Sequence, residues 1–260
     1  MKLGCPPFRL NRLKIFFMDF SDISLHNSAE LEQLVLNVGF LPFFKNKIPG
    51  FSVEEMTPRE YWFNDETEGP WEWKMSIVRN WNCAYGTIFD GKSGYISLDW
   101  YPHLVNYRRG KFSFSNAPLD ADGINRQKFI YDLVVANESM LSRDIKRACP
   151  FIDFPKKKLT PQEKLLGVRK EKVKGESFDK VISVLQMSTM LAIADFEYEC
   201  DRHGNPYGWG LARYVAPETL YGDRVLSAAC TPEESFNKMF EHLRRLLPEA
   251  DELGLKKLLQ

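Results

Sequence analysis

The chain has 260 residues, with 35 Lys and Arg balancing 35 Asp and Glu for a formal net charge of zero. That balance excludes a protein that holds polyanions through bulk charge, so any nucleic-acid site must come from cations gathered locally. Five scattered cysteines without a CxxC pair (Cys5, Cys83, Cys149, Cys200, Cys230) and four dispersed histidines (His26, His103, His203, His242) argue against a zinc site and for a reducing, cytoplasmic setting.

The length allows one large domain or two smaller ones. Residues 1–26 read as an amphipathic N-terminal arm. Their apolar run Leu13–Phe20 is short, is interrupted by Asp19 and has no small-residue cleavage site, so neither a signal peptide nor a membrane span is expected. Residues 27–115 read as an N-terminal α+β region. It opens with a helix over Ser28–Val38, in which Leu31, Leu34, Val35 and Val38 form one stripe, Asn27 with Glu30 resembles a capping box and Gly39 stops the chain. Proline then breaks the aromatic stretches Phe40–Phe44 and Ile48–Phe51 into a packed loop or a short strand pair. Glu54 and Glu55 are adjacent, so they point apart and read as two solvated charges before they read as a catalytic dyad.

An aromatic cluster follows: Tyr61, Trp62, Phe63, Trp71, Trp73 and Trp81. Pro70 suits the first turn of a helix running to about Asn80. Trp71 and Trp73 cannot share a helical face, so one is expected inside and the other nearer the surface, as a rim residue of the core or as a ring that stacks on an unpaired base. Tyr85–Phe89, the Asp90-Gly91 turn and Gly94–Leu98 read as a β-hairpin. Ser97 is a candidate cap for a helix carrying Trp100, His103 and Leu104, which Arg108 and Arg109 close. That arginine pair either complements the helix dipole or clamps a phosphate. Lys111–Gly123 reads as a linker and domain boundary.

Residues 120–222 carry a winged-helix order, three helices followed by a hairpin. The predicted helices are Ile124–Asn137, with Phe129, Ile130, Leu133 and Val134 inward; a short serine-capped one at Ser142 with Arg143, Lys146 and Arg147; and Phe178–Met190, with Phe178, Val181, Ile182 and Leu185 inward. Lys180, Ser183 and Gln186 lie off the last stripe and would face a major groove. Two strands follow, joined by Asp201–Pro206. Asp195, Glu197 and Glu199 line one face of the first strand and repel phosphate, which leaves the tip and the second strand, with Trp209 and Arg213, to meet DNA. Between the second and third helices, the insertion 153–176 concentrates Lys156, Lys157, Lys158, Lys164, Arg169, Lys170, Lys172 and Lys174, read either as a solvated face or as phosphate contacts. Gly204, Gly208 and Gly210 belong to the hairpin and form no phosphate loop, and neither cofactor nor metal is expected. Residues 230–260 are C-terminal helices, opened by the cap Thr231-Pro232-Glu233-Glu234, with Phe236, Met239, Phe240 and Leu243 as their stripe.

From about Leu31 to Tyr221 the sequence resembles the AlkZ-related branch of the AlkZ/YcaQ-like DNA glycosylases. The resemblance is carried by Gly39–Phe44, Ile48–Glu55, Gly69–Lys74, Asn106–Arg109, Leu141–Arg147, Tyr207–Gly210 and Arg213–Glu218. It implies an α+β fold of tandem winged helices around small β-structure, a concave basic surface for double-stranded DNA, and excision of alkylated or cross-linked bases by N-glycosidic hydrolysis. The family's glycosylases carry a Gln-x-Gln or Gln-x-Asp pair soon after the first helix; the corresponding slot here is Pro42-Phe43-Phe44 or Ser52-Val53-Glu54. The first cannot activate water, whereas the second offers Glu54 as a base. Two further readings remain: a non-catalytic winged-helix regulator or architectural protein, and a winged helix used for protein contacts.

Overall fold

The computed structural model describes residues 20–63, 67–151, 176–204, 206–226 and 228–260. It is a mixed α+β fold, with ten α-helices and two small antiparallel sheets among the described residues. Helix α1 (Ser28–Val38) starts where expected, because the Asn27 side chain accepts the Glu30 N–H at 2.9 Å and the Glu30 carboxylate returns to the His26 N–H at 2.9 Å. It ends at Gly39, whose φ of +84° no residue with a Cβ adopts cheaply; that Cβ would also lie 2.5 Å from the Trp100 ring.

Strand β1 (Phe40–Pro42) then pairs antiparallel with Gly94–Ile96, with the proline on an edge strand where its missing N–H costs nothing. The single turn α2 (Val53–Met56) and helix α3 (Pro70–Arg79) lead into the hairpin β2 (Cys83–Phe89) and β3 (Lys92–Ser97), closed by the two-residue loop Asp90-Gly91 with φ +48° and +74°. Two positive φ values are what a right-twisted hairpin requires of so short a loop. The strand order is β1-β3-β2.

Helix α4 (Tyr101–Arg109) begins later than expected. Ser97 ends β3 instead of capping a helix, and Trp100 occupies the cap position. The predicted linker is tied down: Asp120 accepts the Asp122 and Ile124 N–H groups at 3.0 and 2.9 Å and pairs with Arg126 at 3.0 Å. After it, the first sequence of elements recurs: helix α5 (Arg126–Ala136), strand β4 (Ser139–Leu141), helices α6 (Ser142–Ala148) and α7 (Phe178–Met187), then strands β5 (Ala192–Cys200) and β6 (Pro206–Val215) in the order β4-β6-β5. Ser142 is the first residue of α6 and Leu141 its cap, so the expected serine cap is absent. Helix α7 stops at Met187 because Thr189 turns left-handed, with φ +58°. The chain closes with α8 (Pro217–Tyr221), α9 (Pro232–Leu246) and α10 (Glu252–Leu259).

The two units share one apolar core, in which Phe40, Phe43, Phe51, Trp73, Phe89, Tyr95 and Tyr101 are the largest fully covered rings. They interlock reciprocally: α3 packs on β5, and α7 packs on β2. Tyr85 meets Phe196 edge-on at 5.9 Å, and Arg79 Nε pairs with Asp195 at 2.8 Å. Helix α9 lies along α4, while α10 rests on α9 and β2.

Candidate nucleic-acid interface

Reciprocal packing decides which expected contacts reach the surface. Gln186 does not: it is buried, and its Oε1 accepts the Thr87 N–H at 3.0 Å across the seam. Ser183 beside it is half-buried, and Lys180 is exposed but pairs with Glu176 at 2.9 Å. The groove-facing row expected on α7 is therefore one buried amide, one half-covered hydroxyl and one paired ammonium. Arg108 is a second correction. It is buried, donating to the carbonyls of Ile88 (2.6 Å), Leu259 (3.3 Å) and Gln260 (3.2 Å), and burial pushes its guanidinium down to about 10. It fastens α10 to the first sheet and is out of reach of a phosphate. Arg109 joins Glu218 on α8 in a bidentate pair and donates to Thr189 O at 2.8 Å, so it braces three segments. Burial raises the Glu218 carboxyl, but the Arg109 hydrogen bond, a hydrogen bond from its own backbone N–H and the Arg109 charge together hold it below the usual carboxylate range.

The other described cations of the second unit that were expected to meet DNA each have an acidic partner. Arg143 bonds Glu199, Lys146 lies 3.5 Å from Asp179, Arg147 lies 3.4 Å from Asp144, and Arg213 lies 2.5 Å from Glu197. Such half-exposed pairs are worth about 0–1 kcal/mol, so a phosphate can displace the carboxylate, but the carboxylate then faces the phosphate. A hollow of about 420 Å³ between α6 and β5 shows the outcome, with Arg143 opposed by Glu197 and Glu199 on its wall. A second, of about 320 Å³, sets Arg126 and Lys180 against Asp120 and Glu176. Neither described hollow is basic. Lys156, Lys157, Lys158, Arg169 and Lys170 lie outside the described residues, as does the Trp209 side chain.

Cations do gather, with fewer carboxylates, at the tip of the first hairpin. Lys45 and Lys47 from the loop after β1, Lys92 from β3 and Lys257 from α10 meet there. Lys92 Nζ donates to Lys45 O at 2.6 Å, and the adjacent, like-charged Lys257 holds the Lys47 ammonium below its ordinary value despite Asp90 and Asp251. Sequence reasoning missed this group because its members come from three segments spanning most of the chain, and no charge run announces it.

The two tryptophans of α3 diverge as the spacing requires. Trp73 is only 2% exposed, with its indole N–H on Glu68 O at 3.0 Å. Trp71 is half-buried against Phe43, Phe44 and Trp62, and the Lys74 ammonium lies 4.9 Å from its ring centre. Trp73 cannot stack on a base. Glu54, on α2, is half-buried, and its Oε2 accepts the Lys45 N–H at 2.9 Å.

A sequence-family profile described as AlkZ related matches residues 25–260. The chain belongs to the AlkZ-related family. No curated protein and no solved structure gives a significant match. Among the described residues of this AlkZ-related chain, no cluster of His, Cys, Asp or Glu could hold a metal ion, and no helix is long and apolar enough to cross a membrane.

One further aromatic is prominent in it. Trp81 is 52% exposed and adopts a left-handed backbone, with φ +54°. The Glu32 carboxylate binds the side-chain amides on both sides of it, Asn80 at 2.8 Å and Asn82 at 3.0 Å. An apolar residue in that region of backbone costs roughly 1–3 kcal/mol and persists only where its surroundings enforce it. The pattern Asn-Trp-Asn carries no sequence signal for this; only the tertiary contact with α1 reveals it.

Proposed function

We propose that this AlkZ-related protein binds double-stranded DNA through two winged-helix modules, residues 28–97 and 126–215, and descends from base-excision glycosylases. The observation that carries the reading is the recurrence of one order, helix–strand–helix–helix–strand–strand, with the first strand pairing to the last in both sheets. That order and pairing support a winged-helix reading, a plan that most often serves nucleic acid. In this reading the third helices are not the readers, since each is covered by the other module's sheet. Contact falls to the hairpin-tip lysines (Lys45, Lys47, Lys92 and Lys257) and to the basic insertion with Lys156, Lys157, Lys158, Arg169 and Lys170, all touching phosphates. Trp81 is the described indole best presented to an unstacked base.

Catalysis in this reading is N-glycosidic hydrolysis, with Glu54 as the base that takes a proton from the attacking water. Its hydrogen bond from the Lys45 N–H fixes the carboxylate while leaving lone pairs free. A second reading, a module for protein contacts, draws on the pairing of Arg143, Lys146, Arg147, Lys180 and Arg213 with carboxylates. Fluorescence-anisotropy titrations with plain and alkylated duplexes, scored in parallel for free base, separate the possibilities. Binding with base release supports the glycosylase reading, binding alone supports a DNA-binding protein without catalysis, and absence of both leaves the protein-contact module.

A further inference from the structure

Away from both hollows, α4 and the start of α9 bring three polar side chains together around Cys230. Its Sγ lies 3.1 Å from Ser235 Oγ and 3.7 Å from His103 Nδ1, and Ser235 Oγ is itself 3.2 Å from His103 Nδ1. Asn106 Nδ2 donates to Ser235 Oγ and to the Cys230 carbonyl, both at 2.8 Å. Ser235 is fully buried, whereas Cys230 and His103 are half-buried. With His103 Nδ1 as an acceptor, one assignment uses every group. Ser235 accepts from Asn106 and has one proton to give; His103 Nδ1 takes it, and the thiol donates to the same hydroxyl. The result is a chain S–H···O–H···N running from a nucleophile to a base.

We propose that Cys230 is a nucleophilic thiol, activated by His103 through Ser235, and that it is the site at which this chain reacts with small soft carbon electrophiles. As the thiol proton passes to Ser235 Oγ, the Ser235 proton passes to His103 Nδ1. The sulfur attacks carbon, the S–C bond forms, the bond from carbon to its leaving group breaks, and the leaving group departs with the electron pair. The imidazolium then releases its proton to solvent. Burial, followed by the nearby Lys238 charge, holds the His103 imidazole below its ordinary value, so at neutral pH the ring is free to accept. A thiol within hydrogen-bond reach of a base is the arrangement that activates thiols elsewhere in protein chemistry. Other cysteines differ: Cys83 and Cys149 are buried, and burial pushes the Cys149 thiol up to about 12 and that of Cys83 higher still. Cys200 is exposed and serves as the reference.

The test is iodoacetamide labelling of the full native chain at pH 7, with each cysteine followed by peptide mass spectrometry. Cys230 is expected to react at least about tenfold faster than the more exposed Cys200. His103→Gln and Ser235→Ala are each expected to slow Cys230 by about tenfold or more, leave Cys200 unchanged, and lose all effect in urea. Cys230 reacting no faster than Cys200 in the native wild type overturns the proposal even if a variant fails to fold. An unchanged Cys230 rate in both folded variants overturns it too.

Discussion

Replacing Gln186 with alanine tests the reciprocal interlock of the two units. The substitution removes the acceptor of the Thr87 N–H, a 3.0 Å bond across the seam. A buried amide left without a partner costs about 1–3 kcal/mol. Taking about 2 kcal/mol, and about 2–4 °C per kcal/mol for a protein of this size, the Tm should fall by roughly 4–8 °C. Gly86 sharpens the test, because a Cβ there would lie 2.7 Å from Gln186 Oε1. Gly86→Ala alone should therefore destabilise by about 1–3 kcal/mol through overpacking. In the Gln186→Ala background that contact no longer exists, so the double-mutant cycle should show a coupling of about 1 kcal/mol or more. Thermal and urea unfolding followed by circular dichroism measure all four corners, with an unchanged m-value as the sign that stability alone has moved. If Gln186→Ala leaves the Tm within about 1 °C and instead weakens DNA binding, helix α7 faces a groove and the interlock is wrong.

Trp81→Gly exchanges a strained left-handed residue for one that adopts that backbone freely, so stability should scarcely move. Its DNA affinity should drop by about 1–3 kcal/mol, roughly 5- to 150-fold, if the indole stacks on a base; unchanged affinity removes Trp81 from the interface. The Glu218 carboxyl, held below its ordinary value of 4.5 in the folded state, contributes stability that is present above that value and is lost as pH falls through the folded one. Glu218→Gln should therefore lower the Tm near pH 7 and narrow its gap to the wild type as pH drops from about 5 to 3; a gap independent of pH contradicts the ion-pair account. Glu54→Gln should abolish release of free base from alkylated duplex while leaving its anisotropy titration unchanged, and retained release excludes Glu54 as the base.

Local rules made much of the fold legible. Asn27, Thr231 and the Asp90-Gly91 loop mark their elements through short-range hydrogen bonds and φ preferences, and the apolar stripes of α1 and α7 are buried, as is that of α9 except for the half-buried Phe236. What sequence could not supply was each side chain's partner. Gln186 lies off the apolar stripe of α7 and so looked solvent-facing, yet β2 covers that side of the helix from 99 residues away. Arg108 and Arg109 read equally as a helix-end pair or a phosphate clamp, but their acceptors come from the chain's last residues and from α8. The even charge count hid two opposite arrangements: cations neutralised one by one around α6 and β5, and lysines crowded together at the first hairpin tip. Cysteine spacing likewise could not separate the buried Cys83 and Cys149 from Cys230, whose partners are brought in by α4.

The most direct measurement of the DNA-binding claim is the dependence of duplex affinity on salt, for the wild type and for a Lys47→Gln, Lys92→Gln, Lys257→Gln triple variant. The account predicts a linear fall of log K with log salt in the wild type, and a slope shallower by about 0.9 for each lysine that touches a phosphate in the variant. Binding that ignores salt, or equal slopes in the two proteins, would contradict it.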